Sequence, residues 1–273
     1  MSPVRVSKAH AYGNDFLFVS ASDAGNALGP LTLALCDRHR GIGADGLIVY
    51  TLQAGSASMR LLNADGSPSE LSGNGLRCLA ALVARADRLT PGANVTISTD
   101  AGTKTLELLA RDGQRYTFRA AMGQPENLRR VTIPIAEETI NASVLRMGNP
   151  QCVVLGRLPD VERFRRIGPL LSTHAMFPAG TNVEFAHVES PDRVRILIWE
   201  RGVGPTTSSG TGSSASAVVA AAHGGASRTV DVVAPGGTQR VEWRDEGVFL
   251  TGWAEVVFEG QWMAGLATED RRP

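Results

Sequence analysis

The chain has 273 residues, 43% of them hydrophobic, and its 27 basic and 27 acidic residues cancel. This length suits two domains or one large one, the apolar share excludes a disordered chain, and the balanced charge gives no global field for nucleic acid or an anionic membrane. No apolar run approaches the roughly 18–20 residues that span a bilayer, and the opening MSPVRVSKAHAYGNDF carries no signal-type apolar block. Cys36, Cys78 and Cys152 form neither a disulfide framework nor a metal-type pair, and Cys36 with His39 is too little for a metal site. The expectation is a reduced, cytoplasmic globular protein without metal, membrane or nucleic-acid partner. The short basic runs DRHR (37–40) and RFRR (163–166) read as solvated faces.

In chain order, residues 57–62, 94–98, 103–110 and 115–121 have the length and β-branched content of strands, as do 193–199, 229–234 and 238–243. Residues 73–87 lack proline, are rich in small and apolar residues, and follow Ser72; residues 210–223 do the same after Ser209. Serine is a favoured N-cap, so both read as helices. Residues 159–171 predict a further, exposed helix, and the Pro/Gly pairs in 90–93 and 234–237 mark turns.

The chain also repeats itself once. ELSGNGLRCLAALVA (70–84) is similar to TSSGTGSSASAVVAA (207–221), with Ser72 and Ser209 separated by 137 positions. YGNDFLFV (12–19) matches MGNPQCVV (147–154) at a separation of 135. Asp45 and Asn182 open comparable strand-like runs, and Asn63 and Glu200 close comparable ones. The reading is α+β: two pseudo-symmetric domains, 1–122 and 123–273, each a β structure wrapped around a central helix, with the last strand able to pack back on the first half.

Ser-Gly-x-Gly at a helix start has a definite use. The first amides of a helix lack internal partners, the macrodipole adds positive charge there, and glycine lets an anion approach. One such motif is ordinarily only a cap. Two related by a repeat could hold one carboxylate, most strongly as it gains enolate-like charge during removal of the neighbouring proton.

With these motifs the sequence resembles the diaminopimelate epimerase family, a cofactor-independent amino-acid racemase fold. The resemblance covers about residues 8–260 and rests on GNDF (13–16), DRHRGIGADG (37–46), NADGS (63–67), SGNGLRC (72–78), GNP (148–150), GTNVEF (180–185), ERGVG (200–204) and SGTG (209–212). It implies a small amino-acid substrate, no cofactor, a place in lysine biosynthesis, and two cysteines at the helix starts acting as thiolate base and thiol acid on opposite faces of the α-carbon. Those cysteines correspond to Ser72 and Ser209 here; the family's GNPH histidine is Gln151, and the glutamate after its ERGxG stretch is Pro205. The substrate-holding positions Asn14, Asn63, Asn149, Asn182, Glu200 and Arg201 are kept, with Gly73, Asn74, Gly210 and Thr211 at the helix starts. A homodimer is left open.

A serine hydroxyl is a far weaker acid than a thiol and becomes a base only with help from an adjacent one. Three explanations fit: a natural paralogue with altered chemistry, a weakened or non-catalytic amino-acid binder, or deliberate replacement of both cysteines. The last accounts for Ser72 and Ser209 but not for Gln151 or Pro205, which favours natural divergence. The expected activity is epimerisation of LL- to meso-diaminopimelate, impaired by the two serines. The alternatives are an isomerase or dehydratase acting on another small amino or hydroxy acid, and a non-catalytic binder. Asp15, Asp65 and Glu70 are the carboxylates to examine as replacement bases.

Overall fold

The computed structural model describes residues 3–69, 72–100, 102–135 and 138–263. By contact the chain forms two compact units: residues 1–118 with the segment from Trp253 onward, and Arg119–Gly252. The first unit contains β1 (Val4–Ala11), β2 (Asn14–Ser20), α1 (Ala21–Ala24), α2 (Leu28–Cys36), β3 (Gly46–Gln53), β4 (Ser56–Asn63), β5 (Pro68–Ser69), α3 (Gly73–Ala86), β6 (Asn94–Thr99), β7 (Gly102–Asp112) and most of the opening of β8 (Arg115–Gly123). The second continues with β9 (Glu126–Ile135), β10 (Glu138–Met147), β11 (Asn149–Leu155), α4 (Val161–Ser172), β12 (Asn182–Ser190), β13 (Arg193–Glu200), β14 (Gly204–Thr206), α5 (Gly210–His223), β15 (Thr229–Ala234), β16 (Gly237–Arg244) and the start of β17 (Gly247–Trp262). The division falls inside β8, four residues before the expected 122/123 boundary, and again inside β17, whose later residues pair with β1 from His10↔Glu255 to Val4↔Trp262.

Each unit follows one sequence of pairings. In the first, β1–β2 is antiparallel, β2–β3 parallel, β3–β4 antiparallel, β4–β6 parallel and β6–β7 antiparallel. In the second, β10–β11, β11–β12, β12–β13, β13–β15 and β15–β16 repeat that series step for step. The parallel steps need crossovers, and α2 and α4 supply the first of them in each unit.

Two helices are buried on nearly every side. In α3 every residue from Asn74 to Ala84 is buried, and α5 is buried from Gly212 to Ala220. A helix apolar or small all round can lie inside a core; the Ala, Ser and Gly of α5 let Val153, Ile196, Val230 and Val241 close on it. In contrast α4 is amphipathic: Phe164, Ile167 and Leu171 face inward and its arginines outward. Gly168 is required there, because a Cβ would lie 2.6 Å from the Trp199 ring. Among the described residues no helix is long and apolar enough to cross a membrane.

Sequence reasoning missed α1 and α2, where Gly29 and Pro30 in the first turn of α2 disguise the helix. The exposed cap and the core should respond differently to truncation. Asp160 Oδ1 accepts from the Arg163 amide at 2.8 Å, so Asp160→Ala should cost about 1 kcal/mol, whereas Leu79→Ala, at a fully buried α3 position, should cost about 2–5 kcal/mol, both read by urea unfolding.

Candidate active site

In the first unit, Asn14 opens β2, Asn63 ends β4 and Ser72 caps α3. Ser72 Oγ accepts from the Gly75 amide at 3.1 Å. Gly73 has open space where a side chain would be, so the first amides remain approachable. Asn74 ties the helix to the strands: its Nδ2 donates to Asn14 Oδ1 at 3.1 Å and its Oδ1 accepts from buried Arg77. Asn14 Nδ2 donates onward to Asp45 Oδ2 at 2.6 Å. Arg38 holds both Asp45, at 2.8 Å, and Asp15, at 2.7 Å, and Lys8 completes the cluster 2.9 Å from Asp15. The amide of Asn14 is therefore oriented from both ends. Asn63 serves the NADGS turn, its Nδ2 donating to Ser67 Oγ at 3.0 Å; it pairs with Gly46 across β3–β4, and the next amide, of Ala64, donates to the Asp45 carbonyl at 3.1 Å.

In the second unit, Ser209 Oγ accepts from the Gly212 amide at 3.1 Å and lies 3.4 Å from Thr211 Oγ1. Gly210 is closed in by Leu250, 3.1 Å from where its Cβ would stand, so Thr211 is the more open of the pair. Asn149 and Gln151 stand on β11, with Gln151 paired in register with Asn182 of β12. Gln151 is buried, and its side-chain amide lies 2.5 Å from Asn149 Oδ1. Asn182 is buried as well, and its Oδ1 accepts from the Arg201 amide at 2.9 Å, bracing the turn that carries Glu200 and Arg201. Arg201 Nη1 donates to the Ala179 carbonyl at 2.8 Å.

One group under α5 was not singled out from the sequence. Glu184 is fully buried, and a Cβ on Gly212 would meet its Oε1 at 2.6 Å and Ser209 Cβ at 3.2 Å. Only glycine admits a carboxyl at that place. The signal lay two residues after Asn182: side chains alternate along a strand, so Glu184 shares the face of Asn182.

The family model for diaminopimelate epimerase matches residues 6–128 and 143–257. The chain belongs to the diaminopimelate epimerase family. It is 41% identical to the diaminopimelate epimerase of Desulforudis audaxviator (strain MP104C), over 94% of this chain and 98% of that one. It is 37% identical to that of Desulfitobacterium hafniense (strain DSM 10664 / DCB-2), over 94% and 97%. Among solved structures, a probable proline racemase from Agrobacterium radiobacter K84 superposes with a TM-score of 0.70 at 17% identity, covering 98% of this chain and 94% of that one. A hydroxyproline epimerase from Agrobacterium vitis gives 0.68 at 18% identity, covering 95% and 92%. These two likenesses establish the fold alone.

This member of the diaminopimelate epimerase family holds its three cysteines away from thiol chemistry. All are buried, and burial pushes the thiols of Cys36 and Cys152 up to about 12 and that of Cys78 higher still. His10 and His187 stand on strands; His10 accepts from the Gly13 amide at 3.3 Å and sets its edge against Trp253. Burial pushes the Asp15 carboxyl up, but hydrogen bonds and charge from Arg38 and Lys8 outweigh it and hold the group below its ordinary value. The hydroxyl and amide of Ser67 hold Asp65 low as well. Carboxylates held low are poor bases, and Glu70 lies outside the described residues. Burial, with the charge of Glu200 adding to it, holds Glu184 well above its ordinary value.

Asp15 and Glu184 should give opposite pH dependences of stability. The stability from ionised Asp15 is full above the ordinary carboxylate range and is lost as pH falls through its lowered value, so Asp15→Asn flattens the acid limb. Glu184 keeps its proton in the fold after the unfolded chain has released it, so its contribution declines as pH rises. Glu184→Gln should therefore be more stable than the parent at neutral pH and equal to it near about pH 3. Urea unfolding across a pH series measures both.

Proposed function

We propose that the chain interconverts LL- and meso-diaminopimelate by proton transfer at the α-carbon, without a cofactor, with Ser72 and Ser209 as the acid–base pair. The observation that carries this reading is the family match along nearly the whole chain, with Ser-Gly-x-Gly helix starts at the two places where the resemblance sets the reacting groups. Removing a proton beside a carboxylate builds enolate charge, and unpaired amides at a buried helix start stabilise such charge without reorganising. Asn14, Asn63, Gly73, Asn74, Asn149, Asn182, Gly210 and Thr211 hold the substrate in this reading. Arg201 takes a carboxylate, Glu200 an ammonium group, and the pair suits a zwitterion better than a plain anion. A homodimer and a cytoplasmic location belong to the same proposal.

A second reading, an amino-acid binder with little turnover, is favoured by one specific observation: the thiols are held high and Asp15 and Asp65 are held low. Loss of the α-proton signal of diaminopimelate in D2O separates the two. Slow exchange is expected, rising roughly 10²-fold or more in the Ser72→Cys/Ser209→Cys double variant; tight binding with no exchange in either chain selects the binder. In calorimetry, Arg201→Lys should weaken diaminopimelate by roughly 1–3 kcal/mol. A matched dicarboxylate without amines should bind more weakly than diaminopimelate, and equal affinity would remove the amino-acid reading.

A further inference from the structure

The two units place different chemistry at one equivalent spot. Against Gly75, behind the Ser72 cap, a Cβ would meet Ile48 Cδ1 at 2.9 Å and Phe16 at 3.5 Å. Against Gly212, behind the Ser209 cap, it would meet Glu184, and the residue of β11 that matches Phe16 in the repeat is Gln151. The fold is satisfied by an apolar pair in one unit and carries a buried carboxyl and amide in the other. Burying a carboxyl is costly unless it is hydrogen-bonded. The expense is therefore not explained by packing.

We infer that Glu184 is a positioning residue: the proton on its carboxyl decides which way round the Gln151 amide sits, and hence whether Asn149 and Thr211 present donors or acceptors beside Ser209. This rests on the reading of Ser209 as an acid–base group. Gln151 reaches the two oxygens of Glu184 at 3.0 and 3.2 Å with one end of its amide and Thr211 Oγ1 at 3.2 Å with the other. With Glu184 neutral, its O–H donates to Gln151 Oε1, and Gln151 Nε2 donates to Asn149 Oδ1 at 2.5 Å and toward Thr211. Thr211 then turns its proton to Ser209 Oγ at 3.4 Å, and Asn149 keeps its Nδ2 donors for a ligand. With Glu184 ionised, Gln151 Nε2 donates to the carboxylate, its oxygen accepts from the Thr211 hydroxyl, and Asn149 turns to donate to the same oxygen. Thr211 Oγ1 now accepts a hydrogen bond from the Ser209 hydroxyl, which points its proton away from the substrate side. No proton travels along the chain; each hydroxyl and amide only turns. The titratable groups facing Glu184 are Glu200 of β13, whose charge favours the neutral carboxyl, and the Cys152 thiol of β11, which burial keeps protonated.

The test uses the full chain and its Glu184→Gln, Thr211→Val and Ser209→Ala variants. Infrared difference spectra of the parent against Glu184→Gln should show the carbonyl stretch of a neutral carboxylic acid at neutral pH, fading as pH rises. No such band at neutral pH overturns the inference. In D2O exchange of diaminopimelate, kcat of the parent should bend with pH where the infrared band titrates. Glu184→Gln, whose amide does not titrate, should lose that bend with KM changed less than about twofold and kcat moved about tenfold on the high-pH side. Thr211→Val should lose the bend and keep the infrared band, which a merely structural role for Glu184 would not produce. A bend retained in Glu184→Gln while Ser209→Ala abolishes exchange sinks this inference alone. Exchange unaffected by Ser209→Ala sinks the serine reading and this inference with it, although the infrared band would remain.

Discussion

A helix buried on every side must still do something with the amides of its first turn, and that requirement organises both units. No earlier turn exists to accept from those donors. Ser72 and Ser209 each satisfy one, at 3.1 Å, and Gly75 and Gly212 in the same turns let the side chains of Ile48 and Glu184 come close. The strands that close over α3 and α5 are thereby committed to carrying polar groups at the helix starts and apolar groups further along. Asn14 and Asn74 on one side, and Asn149, Gln151 and Thr211 on the other, stand where they do because the helix ends are there.

The units answer the same demand in different electrical terms. The first surrounds its asparagines with full charges, Lys8 and Arg38 against Asp15 and Asp45, with Arg77 buried beneath Tyr12. Its hydrogen-bond directions are set by these ion pairs. The second uses amides, hydroxyls and one carboxyl out of contact with water. A duplicated scaffold thus carries an ionic polar cluster in one unit and a cluster of amides, hydroxyls and one buried carboxyl in the other.

Much of this was legible in residues. The alanine-rich, proline-free stretches after Ser72 and Ser209 gave the two helices within a residue of their ends, because serine caps and apolar content act locally. The repeat announced a common topology through four short matches, and the pairing series carries it on to β6, β7, β15 and β16. What stayed hidden was tertiary. Asn74 lies one turn before Arg77 on the same helix, but nothing local marks Arg77 as a buried cation, since Tyr12 is brought against it by the fold. Glu184 sat inside a motif read as a strand, and its meaning depends on Gly212, far along the chain, leaving room for it. The division by contact falls inside β8, which runs continuously through it, so no composition shift marks the crossing.

The return of β17 to the first unit bears on how the chain is made. Residues 4–10 pair with residues 255–262, so on a ribosome β1 emerges early with one side paired to β2 and the other waiting. Until nearly the whole second unit has been synthesised, that side is an open row of amides and carbonyls able to recruit a strand from another nascent chain. The first unit therefore closes last although it is built first, and the second unit, contiguous from Arg119 to Gly252, is the one equipped to fold as it leaves the tunnel.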